Sequence, residues 1–269
     1  MRVIARQRET LMTVDQTCDW FADTGARKLA ALRRSPLGFS ISAMLGGAYI
    51  GIALVLALTV SAGLPVGVRP LAAGAVFGIG LLLVSFAGAE LFTGSVMYAS
   101  FGLARRRIRL PGTLGMLVWV WIGNLLGSAI FAWVFATGGG GLVFSAPQPF
   151  LHDYVAHKID VGAGALVARA SLCNWLVCLA IWTPARIKSE TGKIIAIGWC
   201  LLAFVASGFE HSVANMTLFT LAWLSPTHPI DLLGALHNLL WVTFGNIVGG
   251  SFMVSMAYLS IARSEAPAA

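Results

Sequence analysis

Six runs of apolar residues, most of them longer than 20 residues, fill the chain between positions 37 and 262. About 20 such residues in a helix cross the roughly 30 Å of hydrocarbon in a bilayer. Of the 269 residues, 58% are hydrophobic and 11% charged, whereas soluble domains carry about a quarter charged residues. A mean hydropathy of +0.82 excludes an ordinary soluble domain. The expected fold is an all-α membrane protein with six transmembrane helices, at about 37–62, 69–100, 111–137, 161–183, 193–223 and 233–262.

The formal charge of +7 sorts by connection. Arg27, Lys28, Arg33 and Arg34, the "ARRRIR" run at 104–109, "RIKSETGK" at 186–193 and Arg263 fall on one side. The other side receives Arg69 and Lys158. Loops rich in Lys and Arg stay in the cytoplasm, so both termini are expected there, in a multi-pass membrane protein. Charge placed this way does not point to nucleic acid.

Residues 1–36 lack the apolar core of a secretory signal. Within them, 14–34 can form an amphipathic helix offering Trp20, Phe21, Leu29 and Leu32 to an interface. Residues 1–11 carry no pattern that assigns a role, and Met12 is an alternative start. The domain plan is therefore a cytoplasmic segment at 1–36, a channel domain at 37–262 and a cytoplasmic tail at 263–269. Cys18, Cys173, Cys178 and Cys200 fall in cytoplasmic or membrane positions and imply no disulfide framework.

An internal repeat organises the spans. "AGAELFTGSVM" begins at Ala87 in the second span and "ASGFEHSVANM" at Ala206 in the fifth. Likewise "GNLLGS" at 123–128 in the third span returns as "GNIVGGS" at 245–251 in the sixth. Both matches lie about 120 residues apart, which makes 37–137 and 161–262 related three-helix units, and an odd number of spans inverts the second. Glycine and polar residues interrupt the second and fifth spans midway, at Gly88, Glu90, Thr93 and Gly94, and at Ser207, Gly208, Glu210 and His211. Paired interruptions of this kind mark binding sites, and non-helical backbone at that depth must be buried in protein or face water.

Each polar residue then has two readings. Glu90 and Glu210 could coordinate ions; the favoured reading is that each accepts backbone N–H groups freed by a break. His211, whose repeat counterpart is Leu91, is expected to contact substrate, the alternative being a satisfied core histidine. Asn124, Asn174, Asn215 and Asn246 could simply bridge helices. Arg169 could snorkel or line an anion vestibule, and Lys158, with His152 and His157, could attract anions or lie in a solvated loop. Neither break contains Asn-Pro-Ala, and no nucleophile, HExxH or cofactor motif supports an enzyme. No metal or cofactor is expected.

"ELFTGSVMYASFG", "CNWLVCLAIW", "WCLLAFVASGFEHSVANMTLF" and "HNLLWVTFGN" resemble the formate/nitrite transporter family, most closely its nitrite branch, over about residues 36–262. The resemblance implies an aquaporin-like protomer with broken second and fifth helices, five protomers in a ring and one pore in each. Nitrite would be the substrate, with formate or hydrosulfide as the alternatives, and a proton could accompany it. It implies a central His211 supported by Thr93 and Asn174. A periplasmic constriction would comprise Phe77, Leu81 and Leu91, and a cytoplasmic one Phe204. Glu210, Asn215 and Asn246 would hold the fifth-span break, Lys158 would draw anions inward, and Arg169 fits the nitrite branch. Gly46, Gly47 and Gly51 would suit close packing in a homopentamer.

Overall fold

A computed structural model describes residues 11–145, 150–225 and 230–264. Residues 1–10 and 265–269, where roles for the extreme N-terminus and most of the tail were sought, lie outside the described residues. Every element among the described residues is helical. In chain order these are α1 (Val14–Arg34), α2 (Pro36–Ala62), α3 (Arg69–Leu82), α4 (Phe92–Ala104), α5 (Leu110–Thr137), α6 (Gly141–Ser145) and α7 (Phe150–Ile159). They continue with α8 (Ala163–Ala185), α9 (Glu190–Ala206), α10 (Ser212–Leu224), α11 (Leu232–Val248) and α12 (Ala257–Ser264). Wider π-helical turns extend α3 over Leu83–Gly88 and join α11 to α12 over Gly249–Met256.

Five helical stretches are long and apolar enough to cross a bilayer: Pro36–Ala62, Arg69–Gly88, Leu110–Thr137, Ala163–Ala185 and Leu232–Ser264. The remaining apolar run is divided between α9, of 17 residues, and α10, of 13. Both interruptions fall where glycine and polar residues break the apolar pattern. Gly88 at φ +86° and Gly208 at φ +70° turn the chain through backbone that L-residues rarely adopt.

Small residues bring α2 against α5, and α8 against α11. A Cβ at Gly47 or Gly127 would overlap the backbone of Asn124 or Met44, and one at Gly249 would overlap Ser171. Gly46 lies against Glu90 and Asn124, and Gly51 against Phe131. The three glycines read as subunit contacts are therefore spent on packing inside the protomer, because a backbone that close leaves no room for a side chain.

The N-terminal helix finds its interface on the protein itself, with Phe21 and Leu29 buried. Its cap is a capping box in which Thr13 accepts from Gln16 N–H, and the Gln16 side chain accepts from Thr13 N–H. Instead of lying on lipid, its apolar face docks beneath the bundle. Phe21 is fully buried, stacked on Phe101 and Trp182 at centroid distances of 5.7 and 5.3 Å. Arg105 pairs with Asp15 and Asp19, and Arg107 with Asp23 at 3.0 Å, fixing α1 to the α4–α5 turn. Trp20 stays outward, 41% exposed. A loose amphipathic pattern does not distinguish a protein surface from a lipid one, which is why the sequence left the partner open.

Candidate functional site

The two breaks are built from the same parts. Leu91 precedes α4 at φ −113°, ψ 128°, and His211 precedes α10 at φ −115°, ψ 115°. Each extended segment is held by an asparagine from a long helix. Asn124 accepts from Phe92 N–H at 2.8 Å and donates to the carbonyls of Ala43 and Glu90. Asn246 accepts from Ser212 N–H at 3.0 Å and donates to the carbonyls of Ala170 and Glu210. An amide can do this because it offers donors and acceptor together, matching backbone groups left without helical partners.

The glutamates do something other than expected. The amides have taken the freed backbone donors, and the carboxylates receive ammonium groups. Glu90 accepts from Lys28 Nζ at 2.7 and 2.6 Å, and Glu210 from Lys158 Nζ at 2.9 Å on both oxygens. Glu210 also accepts from Asn215 Nδ2 at 2.7 Å; Asn215 donates to Asn238, which in turn donates to the Lys158 carbonyl. Lys158, on α7, is thus a part-buried member of this network, and the reading of a solvated loop is corrected. Burial opposes its charge, but Glu210 beside it more than compensates and holds the ammonium above its ordinary pKa.

His211 sits at the centre, 3% exposed. Its Nδ1 accepts from Ala214 N–H at 3.2 Å, so that nitrogen carries a lone pair and caps α10. The ring proton must then reside on Nε2, which lies 3.2 Å from Thr93 Oγ1 and can donate to it. Asn174 donates to the Thr93 carbonyl at 3.2 Å and to the Asn246 carbonyl at 2.6 Å. Asn174 therefore lies behind Thr93 as a brace and lines neither cavity described below.

Two cavities approach this centre from opposite ends of the bundle. One, of about 410 Å³, runs past Arg69, Tyr154 and Lys158 to Phe77, Phe204 and His211. The other, of about 610 Å³, is bordered by Lys28, Glu90, Leu91 and Tyr98. Phe77 and Phe204 meet edge-to-face at 5.6 Å, and Phe204 stacks beside His211 at 6.0 Å. Placing Phe204 in a separate constriction from Phe77 is therefore corrected: the two rings touch and line the same cavity, because α9 packs alongside α3. Leu91 belongs to the opposite cavity, and Leu81, one turn beyond Phe77, is buried and lines neither.

Arg169 is corrected as a vestibule residue. Its side chain is exposed and lines neither cavity; its carbonyl accepts from Glu210 N–H. Lys28, Asn124 and Asn238 complete the polar framework, and of these only Asn124 stood out as an amide within a span.

The model of the formate/nitrite transporter family matches residues 15–260, nearly the whole described chain. The chain belongs to the formate/nitrite transporter family. Among its relatives, the nitrite transporter NirC of Escherichia coli (strain K12) is 43% identical over 238 residues, 88% of each chain. NirC of Salmonella typhimurium is 43% identical over 251 residues, 92% of each. A solved structure described as an FNT family ion channel superposes with a TM-score of 0.87 at 42% identity, over 91% of this chain and 98% of the other. A pentameric formate channel with formate bound gives 0.72 at 30% identity, over 85% and 98%. This family member is a multi-pass membrane transport protein and not an enzyme.

Proposed function

We propose that the protein conducts small monovalent anions, nitrite foremost, through a pore in each subunit of a homopentamer in the bacterial inner membrane, with both termini cytoplasmic. The observation that carries this reading is the position of His211 Nε2, the ring nitrogen that bears the proton, at the inner end of a cavity lined by Lys158, the partner of buried Glu210, and opposite a second cavity lined by the Lys28–Glu90 pair. Nitrite is preferred over formate or hydrosulfide because the NirC relatives match at 43% identity. The pentamer rests on the solved formate channel, and the orientation on the charge asymmetry of the connections.

Apolar constrictions at Phe77–Phe204 and at Leu91 reject a hydrated ion, since a bare charge in such surroundings is costly. His211 Nε2–H offers an anion oxygen one hydrogen bond in exchange for that to Thr93. Releasing the same proton is less suited to the geometry. An imidazolium would need a proton on Nδ1, where Ala214 N–H already points. The proton that turns a weak-acid anion into a neutral acid is therefore assigned to the bulk solution, reaching the vestibule as hydronium, and His211 to holding the anion while it arrives.

Proteoliposome uptake of nitrite, formate and hydrosulfide tests both substrate and role. His211→Asn keeps an N-cap acceptor and an N–H donor, so nitrite flux should stay within about tenfold of wild type with its pH dependence intact. His211→Leu should lose more than tenfold. Wild-type flux in His211→Leu would sink the central role of the residue. Loss of pH dependence in His211→Asn would instead make the ring the proton source.

A further inference from the structure

The α4–α5 turn carries a backbone feature that transport through the pore does not use. Helix α4 ends in a Schellman closure: Arg107 N–H donates to Gly102 O at 2.8 Å, and Arg106 N–H to Leu103 O at 3.0 Å. The left-handed position of this closure is ordinarily glycine. Here it is Arg106, at φ +56°, the one non-glycine residue with positive φ among those described. A non-glycine residue in this left-handed region is uncommon and carries a conformational cost that glycine would not.

Around it lies a basic pocket of about 640 Å³ between α1 and the turn, bordered by Arg33, Arg34, Arg106, Arg107 and Arg109. Arg107 is matched by Asp23. Among the described residues, Arg33, Arg34, Arg106 and Arg109 have no acidic partner, and all four are exposed. Two long helices also start here. Neither Ser35 before α2 nor Arg109 before α5 caps its helix through its side chain, so both ends present free N–H groups. Helix α2 follows α1 directly through Ser35, and the start of α5 lies against Arg33: a Cβ on Gly112 would stand 3.3 Å from the guanidinium. The C-terminal end of α1 adds the opposite partial charge, but Arg33 and Arg34 stand on that very turn.

An anion fits this pocket, and the adjoining surface says which kind. Just past the arginines, Leu37 on α2 is 75% exposed, and Leu110 and Leu114 on α5 are 56% and 54% exposed. These helices run on into the membrane, so cations and free N–H groups adjoin an apolar face at the hydrocarbon boundary. We infer that this pocket binds the phosphate of an acidic phospholipid, its acyl chains lying along Leu37, Leu110 and Leu114. Nucleic acid or a soluble anion would have no use for the leucines.

The test uses the intact protein in neutral detergent, with phosphatidylglycerol, phosphatidylcholine or inorganic phosphate added, read by native mass spectrometry and thermal unfolding. Phosphatidylglycerol should be retained and raise the wild-type midpoint by several degrees more than phosphatidylcholine. Arg33→Gln combined with Arg109→Gln should cut retention severalfold, whereas Arg263→Gln, an exposed charge elsewhere, should leave it unchanged. Arg106→Gly separates ligand from fold: it relieves the backbone, so the midpoint without lipid should rise while retention falls. Equal retention of the two lipids would overturn the proposal. So would full retention in the Arg33/Arg109 variant, or an equal shift from inorganic phosphate alone.

Discussion

Asn124 and Asn246, on separate long helices, make the same set of hydrogen bonds to the two breaks. Each accepts the first N–H of the helix after its break, from Phe92 or Ser212, and donates to the glutamate carbonyl before it. Each also donates to a carbonyl on the neighbouring helix, of Ala43 or Ala170. Both are fully buried, so these bonds are made out of reach of bulk water.

Replacing either with alanine is predicted to leave backbone groups unsatisfied, at about 1–3 kcal/mol each. Asn246→Asp should be nearly as harmful, because an ionised carboxylate accepts but cannot donate to the carbonyls. Thermal unfolding in detergent measures both. A midpoint unchanged in Asn124→Ala and Asn246→Ala would mean that the breaks hold without them.

The lysine–glutamate pairs should not be equal. The side chains of Lys158 and Glu210 are 13% and 2% exposed, against 19% and 13% for Lys28 and Glu90. Glu210→Gln strands a buried ammonium and should cost up to about 3–5 kcal/mol; Glu90→Gln should cost less, since water reaches that pair more readily. Adding Lys158→Met to Glu210→Gln is predicted to recover much of the loss. If the double variant is less stable than Glu210→Gln alone, Lys158 has partners that matter more than Glu210.

The breaks were legible in the sequence because Gly88, Glu90, Gly208 and Glu210 are costly inside apolar runs, and because the interruption occurs twice. Both Asn124 and Asn246 were visible for the same reason. Partners were harder to see. Lys28 reaches Glu90 only because α1 folds back under the bundle, and nothing in a local pattern encodes that return. Asn238 lies in an apolar helix, and its role depends on Asn215 and Lys158 coming from two other elements. Phe204 was assigned to a cytoplasmic constriction on the resemblance alone, and the level its ring reaches depends on how α9 sits against α3, which no local pattern encodes.

Docking of α1 should depend on pH through Cys18. Buried between Asp15, Asp19 and Arg105, its thiol is pushed up to about 11, chiefly by burial and despite the nearby guanidinium. A folded pKa above the ordinary value of 9.0 favours the docked helix fully below that pH. The contribution is lost as pH rises from 9.0 towards about 11. Maleimide labelling of Cys18 is therefore expected to be slow at pH 8 and to accelerate on Phe21→Ala, which removes the ring stacked on Phe101 and Trp182. Rapid labelling of the wild type at pH 8 would show α1 undocked.

The aromatic gate gives the last prediction. Phe77 and Phe204 come from different helices and touch edge-to-face, and both are 3% exposed, so together they close the cavity above His211. Truncating either ring opens the gate from one side, admitting water and weakening the selection against hydrated ions. Phe77→Ala and Phe204→Ala should each raise leakage of chloride relative to nitrite in proteoliposomes. Because each ring acts by meeting the other, the double variant should leak less than the product of the two single effects, a non-additivity expected of residues in contact. Independent, multiplicative effects would place the rings at separate constrictions, as the sequence reading had them. Since Phe204 also stacks beside His211, its loss should disturb nitrite flux more than loss of Phe77, and that asymmetry can be read in the same uptake experiment.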